Sequence, residues 1–166
     1  TPRVEDAVVQ GTVTGTIVLG AITTDVGATI SPTAGTSTVT VLDNDTPPVF
    51  SMAANAGTCA EAVAPTNCTL TIARDSGVAT ATTVNFTVTG TATRGTDYTL
   101  KTGGCAAGTT LVANSISHPS AAPLVIDVCP IDDLTVEGTE TVIFTLGTGA
   151  GYTLGATTAR TQNIAD

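Results

Sequence analysis

Asp132, Asp133, Glu137 and Glu140 fall within nine positions of the segment PIDDLTVEGTE (130–140), although the 166-residue chain has only 14 acidic residues. No Lys or Arg stands between residues 123 and 158 to offset them. Carboxylates crowded together raise one another's pKa, so something positive must compensate. A hard divalent cation does this. Calcium takes about 6–8 oxygen ligands at roughly 2.3–2.6 Å in adaptable geometry, and separate loops can supply them. Magnesium demands a stricter octahedron and keeps its waters, so it suits a multi-loop cage less well. The D-x-D-x-D-G spacing of an EF-hand is absent. Two readings stand: a calcium site, or a solvated acidic turn that keeps the chain soluble and blunts a sheet edge. The turn Asp43-Asn44-Asp45 carries the same two readings, with a second ion in the first of them.

Other chemistries have less to work with. A nucleophilic triad needs a His set by a carboxylate. The one His, His118, stands in SISHPS beside Pro119 and is expected in a surface loop. Paired carboxylates can hydrolyse glycosides, but sugar clefts use aromatic platforms, and this chain has no Trp, two Tyr and three Phe. Tyr98 and Tyr152 are expected as core or corner residues, and Phe50, Phe86 and Phe144 as core. No Gly-rich loop joins a strand to a helix, so nucleotide binding is not indicated. A net charge of −9 with five basic residues excludes nucleic acid as a partner, because phosphate contacts need Lys and Arg. The chain is not expected to be an enzyme.

The elements that must position the acidic residues are strands. Thr occurs 37 times and aromatic residues make up only 3 % of the chain. Such Thr- and Val-rich composition suits a pleated sheet. Strand signals recur at 8–19, 36–43, 68–73, 83–90, 123–130, 141–147 and 160–166, separated by Gly, Pro, Asn and Asp clusters. Val84, Phe86 and Val88 are expected to face inward, as are Leu70 and Ile72. PLVIDVCP (123–130) and TVIFTLG (141–147) are the densest runs and are expected to be central. Helical periodicity is absent, and only the segments around Ala60 and Ala121 leave room for a helical turn. The fold class is therefore all-β.

Four cysteines, Cys59, Cys68, Cys105 and Cys129, stand at long spacings without a CxxC. That favours two disulfides over a zinc site. Local pairing, Cys59–Cys68 and Cys105–Cys129, is the simplest connectivity, and two other pairings remain open. Disulfides imply an oxidising compartment, and low Lys and Arg with abundant Thr is associated with secreted bacterial surface proteins. Neither a signal peptide nor an apolar run long enough to span a membrane is visible. The expected location is extracellular or at the cell surface, for a mature or excised piece.

The acidic turn and two prolines of DNDTPP (43–48) mark a stiff boundary, since paired prolines cannot continue a ladder in mid-sheet. An internal echo flanks the second segment. GTVTGTIVLG (11–20) and its Thr-rich successor ending in Asp resemble GTETVIFTLG (138–147) and the chain end. Repeats at roughly domain length indicate an array. Residues 1–46 read as the C-terminal strands of a preceding unit, or as exchanged strands, and 47–166 as a near-complete second unit.

The motifs TLTIARDSG (69–77), GTATRGTDYTL (90–100), PIDDLTVEGTETVIFTL (130–146), GYTLG (151–155) and IAD (164–166) carry a family likeness. Residues 47–166 resemble a Calx-beta domain. The resemblance implies a seven-stranded, immunoglobulin-like, two-sheet antiparallel sandwich, here with extra N-terminal strands. It implies Ca2+ held at one tip between loops. Its ligand positions map onto Asp97, Asp132, Asp133, Glu137 and Glu140, the Thr135 carbonyl, Asp166 and, in the early strand, Glu61.

Two functions follow as expectations. One is a calcium-binding spacer or adhesive module of a repetitive extracellular protein, with neighbouring repeats and a cell-surface or matrix ligand as partners. The ion would stiffen the joint between units. The alternative is a self-assembling filament subunit, whose N-terminal strands pair with a neighbouring copy by donor-strand exchange.

Overall fold

The computed structural model describes residues 11–19, 35–43, 45–53, 58–61, 68–77, 80–119 and 122–166. The chain forms two compact units, Thr1–Asp45 and Thr46–Asp166.

In the first unit, β1 (Val13–Val18) pairs antiparallel with β2 (Thr36–Val41), from Val13↔Val41 to Val18↔Thr36. Directly opposed residues share a face. One face therefore carries Val13, Ile17, Val39 and Val41, and the other carries Thr14, Thr16, Thr38 and Thr40. All residues of both strands are exposed. Residues 8–10, expected at the start of this first strand, lie outside the described residues.

The second unit contains β3 (Val49–Met52), β4 (Cys59–Ala60), β5 (Cys68–Ser76), β6 (Thr82–Gly90), β7 (Tyr98–Thr102) and β8 (Thr109–Thr110). It continues with β9 (Ser115–His118), β10 (Leu124–Pro130), β11 (Glu140–Leu146), β12 (Thr153–Leu154) and β13 (Ala159–Ala165). One sheet has the order β12-β3-β5-β10-β7-β8 and the other β4-β13-β11-β6-β9. Together they are a β-sandwich. If β3 and β4 count as one divided strand, then β5, β6, β7, β10, β11 and β13 complete the expected seven. The remaining three, β8, β9 and β12, are short additions among the described residues. The entering chain changes sheets between β3 and β4. Two edge pairings are parallel, β3 with β12 and β4 with β13.

The core follows from period-2 alternation. Leu70, Ile72, Leu100, Ile126 and Val128 point in from one sheet, and Val84, Phe86, Val142, Phe144 and Ile164 from the other; all are buried. Phe86 and Phe144 stack with centroids 4.4 Å apart. Each such aliphatic or aromatic side chain stabilises by roughly 1.5–3 kcal/mol when removed from water. The dense runs are central: β10 lies between β5 and β7, and β11 between β13 and β6.

Both cysteine pairs are local, Cys59–Cys68 and Cys105–Cys129. The first joins the two sheets, because β4 and β5 belong to different ones.

Two expectations are corrected. His118 is not a surface-loop residue: it is fully buried on β9. Ile116 and His118 both take the inward positions of this strand, and Pro119 follows the strand end. Its Nε2 lies 3.3 Å from the Ile72 carbonyl, and its ring 5.0 Å from that of Phe50. Ala60 lies in β4 rather than a helical turn, and Ala121 is outside the described residues.

Candidate metal centre

The acidic tip is assembled from four chain segments. Asp97 closes the turn TRGTD. Its amide donates to the Thr93 carbonyl at 2.9 Å, and its carboxylate accepts from the Thr93 amide. Gly95 supplies the left-handed backbone of this turn, with φ +93°. The Asp97 carbonyl accepts from the Ile131 amide at 2.9 Å, so the acidic segment leaves β10 beside it. Asp97 is only 5 % exposed.

Residues 131–139 have no regular structure, and the carboxylate-bearing positions within them are exposed. Asp133 Oδ1 accepts from the Thr135 amide at 2.6 Å, a local turn typical of Asp. Gly138, with φ +83°, turns the chain into β11, whose first residue is Glu140. Close contact fixes this strand start: a Cβ on Gly90 of β6 would lie 2.0 Å from the Thr141 carbonyl oxygen, so only glycine fits.

The other two segments are the first and last of the sandwich. Glu61 follows β4, and its amide donates to the Ala165 carbonyl at 2.8 Å. Asp166 follows β13 and accepts from the Glu137 amide at 3.1 Å through Oδ2.

Carboxylate oxygens of Asp97, Glu137 and Glu140 lie within 4.8 Å of one another. Ligands on opposite sides of one calcium ion stand about 4.6–5.2 Å apart, and adjacent ones closer. Three glutamates have raised pKa values. Glu61 is raised by desolvation, then by Glu137, Asp133, Asp97 and Asp166. Glu137 is raised by desolvation and by Asp97, Asp133 and Asp166; its side chain is exposed, so the charges matter more. Glu140 is raised by desolvation, by the charge of Asp97, by a hydrogen bond with Asp97 and by Glu137. Every charge acting on the three is negative.

The structure thus brings together Glu61, Asp97, Asp133, Glu137, Glu140 and Asp166. Asp132 is exposed and acts on none of the three glutamates. Thr135 is exposed and enters through its amide, which serves Asp133. Asp43 and Asp45 lie in the first unit. There Asp43 accepts from the Gly11 amide at 2.9 Å and from the Asp45 amide at 3.1 Å. No carboxylate joins the described tip beyond those named from the sequence.

No protein-family model matches the chain, and no curated protein matches it. Solved structures do. CBD12 from CALX1.2 is similar at a TM-score of 0.51 and 20 % identity, over 70 % of this chain and 44 % of that chain. The chain carries a Calx-beta-like fold. The apo-form Calx CBD1 domain is also similar, with a TM-score of 0.44 and 20 % identity over 71 % of this chain and 97 % of that one. The chain thus spans less than half the length of CBD12.

The tip of this Calx-beta-like domain fits a hard cation. Its donors are all oxygen, as calcium prefers. Glu140 Oε2 is buried and has no hydrogen-bond partner. A buried carboxylate oxygen without a donor is costly, and a cation would satisfy it.

Proposed function

We propose that this domain is a calcium-binding structural module of a repetitive extracellular or cell-surface protein. The observation that carries the reading is the uncompensated carboxylate tip, one of whose members, Glu140, has a buried Oε2 without a hydrogen-bond partner. Asp97, Glu137 and Glu140 would form the inner ligands, with Asp133, Asp166 and Glu61 around them. A bound ion supplies positive charge where the chain supplies none.

Glu61 and Asp166 make this consequential. They follow the first and last strands, so neutralising the tip ties chain entry to chain exit. Ion-free, the same carboxylates repel and the segment 131–139 is held by few contacts. Local electrostatics would then set the stiffness of the joint with a neighbouring unit. The sequence echo supports neighbouring repeats as partners. Two disulfides support an oxidising compartment. No described helix is long and apolar enough to cross a membrane. A cell-surface or matrix ligand would be met elsewhere on the array, and the domain acts without catalysis.

Calorimetric titration of the chain with CaCl2 and separately with MgCl2 tests this. Saturable calcium binding, weaker magnesium binding and a calcium-raised melting temperature are expected. A silent titration and an unmoved melting temperature at millimolar calcium would overturn it.

A further inference from the structure

The β1–β2 hairpin and the β11–β13 pair are the same object in two environments. GTVTGTIVLG (11–20) laid on GTETVIFTLG (138–147) matches at both glycines, Leu19/Leu146 and two threonines. On that alignment the ladder pair Val13↔Val41 falls on Glu140↔Ile164, and Ile17↔Ser37 falls on Phe144↔Arg160. A related hydrogen bond is offset by one residue. Asp43 Oδ2 accepts from the Gly11 amide at 2.9 Å, whereas its counterpart Asp166 Oδ2 accepts at 3.1 Å from the amide of Glu137, the residue before Gly138, which is the counterpart of Gly11.

Burial is where they part. Phe144, Leu146 and Ile164 are at most 4 % exposed, whereas their counterparts Ile17, Leu19 and Val41 are 59, 60 and 46 % exposed. In the sandwich, β11 also has a second neighbour, β6, with Phe144↔Val88 and Leu146↔Phe86. Among the described residues β1 pairs with β2 alone. An unpaired edge beside an exposed apolar face is a template for strand addition.

We infer that the β1 edge of the hairpin is a docking site for an extended, uncharged strand of another Calx-beta-like unit, the equivalent of β6, added antiparallel. The transferred register sets the docking strand's Val88 equivalent opposite Ile17 and its Phe86 equivalent opposite Leu19. Charge agrees: neither β1 nor β6 carries an ionisable side chain, in a chain of net charge −9. A second folded copy does not provide this strand, because its β6 is already paired on both edges, with β11 and β9. The inference does not depend on calcium.

The probe is a synthetic peptide of the β6 sequence TTVNFTVTG added to the intact chain. Saturable binding is expected, with slowed amide exchange in β1. Peptides carrying Val88→Asp or Phe86→Asp, whose side chains would enter the apolar face, should bind at least about tenfold more weakly, the factor that corresponds to 1.4 kcal/mol. A Thr87→Asp peptide, pointing to the other face, should retain binding, and a scrambled peptide should not bind. These peptide variants leave the protein's own folding untouched. No binding at millimolar peptide, indifference to Val88→Asp, or equal binding of the scrambled sequence would overturn the inference. So would concentration-dependent self-association that Ile17→Asp abolishes, which would make a second hairpin the occupant.

Discussion

At its Leu146 end β11 meets a neutral, self-contained corner; at its Glu140 end it meets carboxylates. Tyr152 organises the first. Its hydroxyl donates to the Gly147 carbonyl at 2.6 Å and accepts from the Asn85 amide at 3.1 Å. The Asn85 side chain donates to the Thr148 carbonyl at 3.1 Å, and the Tyr152 ring meets Phe50 edge-on at 5.5 Å. Protein groups satisfy one another there. At the other end, desolvation and neighbouring negative charge both raise Glu61, Glu137 and Glu140, no positive charge offsets them, and Glu140 Oε2 has no hydrogen-bond partner. One end of the sandwich is satisfied by its own groups, whereas the other gathers negative charges that no basic side chain offsets.

The largest expected effect separates the two ends outright. Calcium at about a hundredfold over its Kd should stabilise the domain by about 2.7 kcal/mol, read as a rise in melting temperature over an EDTA control. Combining Asp97→Asn with Glu140→Gln should erase that rise; a rise that persists means that other ligands hold the ion. Tyr152→Phe addresses the neutral corner. Losing the hydroxyl leaves the Asn85 amide without its acceptor and should cost about 1–3 kcal/mol, equally with calcium and with EDTA. An effect confined to one of those conditions would break the separation of the two ends.

Titration gives a smaller signal of definite sign. A carboxyl whose folded pKa is raised binds protons more tightly when folded, so its penalty is present above that raised pKa and vanishes as pH falls below the unfolded value. Metal-free stability should therefore rise as pH drops from neutral through the upper carboxylate range. The calcium-induced gain should shrink over the same interval, because protons and metal compete for the same oxygens. Thermal melts in EDTA and in calcium across that range check both slopes. The smallest effect belongs to Asp132→Asn, which should leave the calcium-induced rise unchanged, while Asp133→Asn should reduce it.

That last contrast shows what the sequence could convey about the site. Asp132 and Asp133 are equivalent as letters, yet only Asp133 accepts from the Thr135 amide and acts on the tip. Asp97 and Glu61 lie far from the acidic segment in sequence, and they were legible only through family resemblance. Their proximity comes from β7 starting, and β4 and β13 ending, at one tip, which local pattern does not report. The longer strands, by contrast, were legible from alternation: Val84 and Phe86, Leu70 and Ile72, and the runs in β10 and β11 all face the core as read. SISHPS misled because a polar run ending at proline resembles a loop, whereas the partners that make His118 an inward residue, Phe50 and Ile72, come from distant strands. The hairpin face of Val13, Ile17, Val39 and Val41 alternates as a core face would and is exposed all the same, because alternation specifies a face without supplying its cover.

The divided first strand has a mechanical meaning. β4 and β13 lie side by side and run the same way, pairing Cys59 with Ile164 and Ala60 with Ala165. If the two termini of the sandwich are pulled in opposite directions, these strands slide lengthwise against each other. Their ladder bonds then share the load instead of peeling one at a time. Beyond that ladder, the Cys59–Cys68 bond passes traction from β4 directly into β5.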